Sequence, residues 1–239
     1  MIIRLCKSFD MEDRMINRIL LMICCFSALT GLLAGCGSSS SSGFTTTDFR
    51  VIHASPNTGA VDVFVNGAKQ VSNLPYSNAS GYSTLESGNY HVRIFPEGQT
   101  VNPIIDTNEQ LNGNTTYTLM LIGQTGSVSA LLLTDDNRQP AAGNARIRFV
   151  HASPDTLSAD LRANGGLTTL FANVSYGASS AYKEVTGGTY DLTVTRAGEP
   201  TVVLASALGT VFSSGSVYTV VLEGLSSNDT LLVRVYTDK

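Results

Sequence analysis

The stretch Arg50-Val51-Ile52-His53-Ala54-Ser55-Pro56 returns as Arg148-Phe149-Val150-His151-Ala152-Ser153-Pro154. The two histidines are 98 residues apart, too far for a solenoid repeat and suited to a small domain written twice. Three further blocks follow in the same order. Val61-Asp62-Val63-Phe64-Val65-Asn66-Gly67 aligns with Ala159-Asp160-Leu161-Arg162-Ala163-Asn164-Gly165, and Gly81-Tyr82 through Tyr90 with Ala181-Tyr182 through Tyr190. Last, Tyr117-Thr118-Leu119-Met120-Leu121-Ile122-Gly123 aligns with Tyr218-Thr219-Val220-Val221-Leu222-Glu223-Gly224.

Each block reads as a strand. The first is a short apolar run closed by Ser-Pro, where proline removes a ladder donor and turns the chain. Asn66-Gly67 and Asn164-Gly165 are hairpin signals, because both residue types tolerate positive φ. Tyr90-His91-Val92-Arg93-Ile94-Phe95 and Tyr190-Asp191-Leu192-Thr193-Val194 alternate, so one face is expected to be buried and the other wet. Residues 116–122 and 217–222 are denser in apolar side chains, as central strands are. About seven strands per unit predict an all-β protein of two tandem immunoglobulin-like antiparallel β-sandwich domains, residues 46–137 and 144–239. The polar, turn-rich stretch 138–143 joins them, as an elbow or a hinge.

These motifs together resemble the bacterial and archaeal family called domain of unknown function 4397, over nearly all of residues 48–239. The resemblance implies an extracytoplasmic β-rich module, commonly in tandem and often on lipoproteins, and it implies no activity. Arg162 stands where the first copy has Phe64, so the two outer faces need not bind the same thing.

Ahead of the repeats, Arg18 precedes the apolar run Ile19 to Leu29, which is too short for a comfortable membrane span and has the layout of a secretory signal. It ends in Leu33-Ala34-Gly35-Cys36, which resembles the lipobox of bacterial lipoproteins. That resemblance implies a signal peptide over residues 1–35, removed before Cys36, and a palmitate-type lipid anchor on Cys36. Residues 36–45, with serines at 38–42, then form a flexible tether. An uncleaved amphiphilic anchor is the competing reading. Gly37 in place of an aspartate favours the outer membrane, facing the periplasm or the surface. Asp10, Glu12 and Asp13 are out of place in an export signal, so Met15 is the expected start.

All four cysteines lie at or before residue 36, so the repeats carry no disulfide and must rely on core burial. The chain is mildly acidic, at −4, and no basic patch argues for nucleic acid. The inventory His53, Ser55, Asp62 and its echo His151, Ser153, Asp160 matches a hydrolase triad. No nucleophile-elbow context surrounds either serine, however, and each histidine shares strand parity with apolar neighbours. The expected role is therefore structural, a histidine and a serine tying a strand to its turn, with catalysis as the alternative. Asp135 and Asp136 read as a solvated linker turn rather than a calcium site. The tyrosines Tyr76, Tyr82, Tyr176 and Tyr182 read as sandwich packing rather than a binding surface. No metal site and no cofactor is expected. The function this supports is a non-catalytic envelope module for a protein or glycan partner.

Overall fold

The computed structural model describes residues 44–238; the signal segment, Cys36 and the serine tether lie outside them. Among the described residues there is no helix. Repeat 1 contains β1 (Thr46–His53), β2 (Val61–Val65), β3 (Ala68–Leu74), β4 (Asn78–Ala79), β5 (Ser83–Glu86), β6 (Gly88–Pro96), β7 (Ile105–Leu111), β8 (Thr116–Ile122) and β9 (Ser129–Asp135). Repeat 2 contains β10 (Asn144–His151), β11 (Ala159–Ala163), β12 (Thr168–Val174), β13 (Lys183–Thr186), β14 (Gly188–Arg196), β15 (Glu199–Phe212), β16 (Val217–Glu223) and β17 (Leu232–Thr237).

Each repeat is two sheets. In repeat 1 an inner sheet ordered β4-β1-β8-β9, with β5 also on β1, stands against an outer sheet ordered β3-β2-β6-β7. Repeat 2 repeats this as β13-β10-β16-β17 and β12-β11-β14-β15. The two sheets bury alternate side chains between them: Phe49, Val51, Val63, Ile94 and Leu119 in repeat 1, and Phe149, Leu161, Val194 and Val220 in repeat 2. Such alternation follows from the two-residue period of a strand.

One expectation needs correction, and another is met in two different ways. The sheets are not wholly antiparallel, because β1 runs parallel to β8 and β10 parallel to β16. Both partners are central, and the chain traverses the whole outer sheet between them, so the connection is a crossover and not a hairpin. The hairpin signals also differ in outcome. Asn66 and Gly67, at φ 48° and 82°, form a two-residue turn between Val65 and Ala68, whereas the corresponding connection in repeat 2 spans four residues, from Ala163 to Thr168.

The central strands of the inner sheets, β1, β8, β10 and β16, are buried on both faces over most of their length. On the side away from each sandwich core, Ile52, Ala54, Met120, Ile122 and Leu133 of repeat 1 share one apolar cluster with Val150, Ala152, Val221 and Tyr236 of repeat 2. The described residues accordingly form one compact unit, and the alanines of both His-Ala-Ser-Pro segments lie in the shared cluster. The density of apolar residues in β8 and β16 has its cause here. Those strands serve two cores, one within the repeat and one between the repeats.

Candidate functional site

Both histidines end their strands and are fully buried. His53 Nδ1 accepts the Ser55 N–H at 3.3 Å, and His53 Nε2 faces the Gly59 carbonyl at 2.7 Å. His151 repeats the arrangement, with the Ser153 N–H at 3.3 Å and the Leu157 carbonyl at 2.9 Å. A ring that accepts at Nδ1 and donates at Nε2 is a neutral imidazole with both nitrogens engaged. Burial holds both histidines below their ordinary pKa, which suits that neutral form.

The serines face away from the imidazoles. Ser55 Oγ donates to the Gly123 carbonyl at 2.8 Å and lies 2.6 Å from Thr58 Oγ1. Gly123 sits at φ 90°, where an added Cβ would fall 2.3 Å from the Ser127 carbonyl oxygen, so only glycine brings this carbonyl to the serine. In repeat 2, Ser153 Oγ donates instead to Asp155 Oδ1 at 3.2 Å, and Asp155 receives the Ser226 and Ser227 N–H groups at 2.9 and 2.8 Å.

The aspartates serve the outer sheets. Asp62 accepts from the Asn73 N–H at 2.9 Å, the Gly98 N–H at 3.0 Å and Lys69 Nζ at 2.6 Å. The hydrogen bond from Lys69 is the largest influence holding its carboxyl below the usual range. Asp160 takes the equivalent N–H groups of Asn173 and Gly198 at 2.8 and 3.3 Å. Among the described residues neither carboxylate is hydrogen-bonded to a histidine, and neither serine Oγ is bonded to an imidazole. The six residues therefore form four local fastenings rather than two triads. His91 pairs with Asp106 at 2.6 Å on the surface, and no group of three or more His, Cys, Asp or Glu converges among the described residues.

A polar constellation of a different kind lies between the repeats. Arg50 Nε donates to Thr118 Oγ1 at 2.8 Å, Thr118 Oγ1 donates to Asp135 Oδ2 at 2.6 Å, and Asp135 Oδ1 receives Arg148 Nη2 of the other repeat at 2.5 Å. Arg148 Nε then donates to Thr219 Oγ1 at 2.9 Å, Thr219 to Asp238 at 2.8 Å, and Asp238 Oδ1 receives Arg50 Nη2, closing the ring. All six residues are buried. Each guanidinium is covered by a tyrosine, Arg50 by Tyr82 at 4.6 Å and Arg148 by Tyr182 at 4.9 Å from the ring centroid. The two tyrosine hydroxyls donate to Asp135 and Asp238, each at 2.6 Å. Burial is the main reason both phenols sit above their ordinary range, Tyr82 and Tyr182 alike.

Asp135 is thus a buried ring member and not part of a solvated turn; the turn begins at Asp136, whose hydrogen bond with Arg138 lowers its carboxyl to about 2. The ring was legible only as repetition. An arginine opened the first block of each copy and a threonine followed the tyrosine of the last, but nothing in either copy said that their partners lay in the other. Beside the ring, an open cleft of about 450 Å³ is lined by Asn114, Thr115, Thr134, Asp136, Asn137 and Arg138. Asn137 Oδ1 is buried there without a protein partner.

The family model "Domain of unknown function (DUF4397)" matches residues 47–162 and again 147–239. The chain belongs to this family. No curated protein matches it. Among solved structures, a family 26 carbohydrate-binding module from Eubacterium rectale Amy13K, in complex with maltoheptaose, aligns over 80% of this chain and 97% of its own at 12% identity and a TM-score of 0.25. The Bacillus anthracis TIE protein aligns over 76% of this chain and 34% of its own, at 10% identity and a TM-score of 0.26. At those scores neither alignment carries an argument about this DUF4397 protein's fold or ligand.

Proposed function

We propose that the protein is a non-catalytic, lipid-tethered envelope module whose tandem sandwiches present a rigid surface to a protein or glycan. One observation supports the non-catalytic part above the others: in both repeats the imidazole nitrogens are committed to backbone groups, and the serine hydroxyls to other acceptors. A general base needs a free nitrogen within reach of the proton it removes. The structural role of His53, Ser55, Asp62, His151, Ser153 and Asp160 is part of the same proposal. The tether is the lipid on Cys36, and the location is the outer membrane.

The polar cleft around Asn137 is the place assigned to the ligand, because its amide, hydroxyl and carboxylate groups match the donors and acceptors of a hydroxylated partner. A glycan array and envelope crosslinking of the lipidated protein test the binding role. Retention on glycans or on a defined envelope protein, weakened by Asn137→Ala, is the expected result. Serine-dependent turnover in a broad ester and amide screen would overturn the proposal in favour of a hydrolase. The anchor is tested separately: Cys36→Ala abolishes palmitate labelling and releases the protein from the membrane, and unchanged labelling would rule that part out.

A further inference from the structure

The repeat interface has two equivalent corners that are built differently. At one, Ile122 ends β8, and its δ-methyl lies 3.6 Å from where a Cβ on Gly177 would stand, with Leu133 in the same apolar cluster. At the other, Glu223 occupies the position of Ile122, Ser77 that of Gly177, and Tyr236 that of Leu133. The equivalences are fixed by pairing: Leu121 and Leu222 lie opposite the two histidines in their parallel ladders. Ser77 and Gly177 donate their N–H groups to the carbonyls of the same histidines, and Leu133 and Tyr236 pair with the ring threonines. Three apolar or small residues at one corner have thus become three polar ones at the other.

Glu223 is fully buried. Its Oε1 accepts from Ser77 Oγ of the other repeat, and its Oε2 accepts from the Tyr236 Oη hydroxyl at 3.4 Å. The groups that bear on it are Ser77 and Tyr76 from the segment before β4, and Tyr236 and the exposed Arg234 from β17. No arginine or lysine forms an ion pair with it among the described residues. A buried carboxylate held only by neutral donors is costly when charged, and it becomes acceptable on taking a proton.

We propose that Glu223 is a pH-responsive latch between the repeats, closed when its carboxyl is protonated and weakened when it ionises across the interface from Ser77. Burial, the dominant influence, raises this carboxyl from 4.5 to about 7. A group raised on folding contributes stability that is complete below about pH 4.5 and is lost as the pH rises through about 7. The span corresponds to a change on the order of a hundredfold in the folding equilibrium. The buried histidines act in the opposite sense over part of the same range. His53 and His151 are held below 6.5, so their contribution is lost as the pH falls below about 6.5. The latch is therefore read from the difference between the parent and a Glu223 variant, in which the histidines cancel.

The test uses the intact chain. Thermal melts from pH 4.5 to 8.5 are compared for the parent, Glu223→Gln, and the double variant Glu223→Ile with Ser77→Gly, which copies the Ile122 and Gly177 corner. The carboxyl carbon of Glu223 is followed in parallel by NMR. The expected result is a parent that loses stability relative to both variants as the pH rises, a double variant more stable than the parent at pH 8, and a Glu223 midpoint near 7. Parallel melting curves for parent and double variant, or a Glu223 midpoint near 4.5, would overturn it. The double variant keeps the test decisive should Glu223→Gln fail to fold.

Discussion

On the outer sheet of repeat 1, Phe64 and Phe95 meet edge to face at 5.3 Å, with Lys69 over one ring and Arg93 over the other. Repeat 2 has Arg162 and Thr195 at the same two places; Arg162 Nε donates to the Gly166 carbonyl at 2.7 Å, and Thr195 Oγ1 is buried without a partner. The ring between the inner sheets behaves in the opposite way. There Arg50, Thr118 and Asp135 are matched group for group by Arg148, Thr219 and Asp238, with the same covering tyrosines. The difference follows from what each face touches. An inner residue meets a partner in the other repeat, so a change on one side strands a buried group on the other, whereas an outer residue answers only to its own sheet and to solvent.

The ring is the place to strain that comparison hardest. Arg148→Ala leaves Asp135 buried beside Thr118 and Tyr82 with no cation, and breaking one member of a buried pair costs about 3–5 kcal/mol. Because the ring crosses between repeats, the loss is expected in a single melting transition of the whole unit. Arg148→Ala with Asp135→Ala should cost less than the sum of the single changes, since the stranded charge is gone. Denaturant melts of the three variants measure this. Strictly additive losses, or separate transitions for the two repeats, would show that the ring does not couple them.

The histidines come next and sharpen the same contrast within each repeat. His53→Ala removes the acceptor for the Ser55 N–H and the partner of the Gly59 carbonyl, and His151→Ala does the same to Ser153 and Leu157. Stranding buried backbone groups costs about 1–3 kcal/mol, and similar losses are expected at the two sites because the geometry is the same. The sign with pH is fixed as well. Since both imidazoles are held below 6.5 in the folded protein, the parent should lose stability relative to either variant as the pH falls below about 6.5. Melts that do not respond to either substitution would break the structural reading of the motif.

How much of this was legible in the sequence divides along the same line. Strand content, the tandem repeat and the Asn66-Gly67 turn follow from local chemistry, because alternation and positive-φ residues act within a few positions. The side of the strand on which His53 lies was readable for that reason. The wet outer face expected of β6 was not borne out at Phe95, which is 2% exposed, because strand parity gives the direction of a side chain and not what packs over it. The union of the two repeats was equally hidden. Ile52 and Met120 read as ordinary strand residues, and only the second copy, brought round against the first, turns their face into a core. Asp135 was misread because proximity in sequence to Asp136 and Arg138 outweighed a partner that only folding supplies.

The smallest effects are expected on the outer sheets, and they test whether those faces are independent. Asp62 and Asp160 each receive two backbone N–H groups from matching turns, so the framework is common and only the side chain opposite differs. In repeat 1 that side chain is Lys69, 2.6 Å from Asp62 and 41% exposed; in repeat 2 it is Arg162, 3.6 Å from Asp160. A pair with one solvent-facing member is screened, so Lys69→Ala should cost no more than about 1 kcal/mol, even though it also removes the cation over Phe64. Phe64→Ala should cost slightly more, about 1–2 kcal/mol, because it removes an edge-to-face aromatic pair together with some buried area. Neither change touches the ring or the shared cluster, so each should add to the effect of Arg148→Ala within about 0.5 kcal/mol. Coupling well beyond that between Phe64 and Arg148 would mean that the outer face of one repeat senses the other, and the contrast between conserved inner chemistry and free outer chemistry would need a different cause.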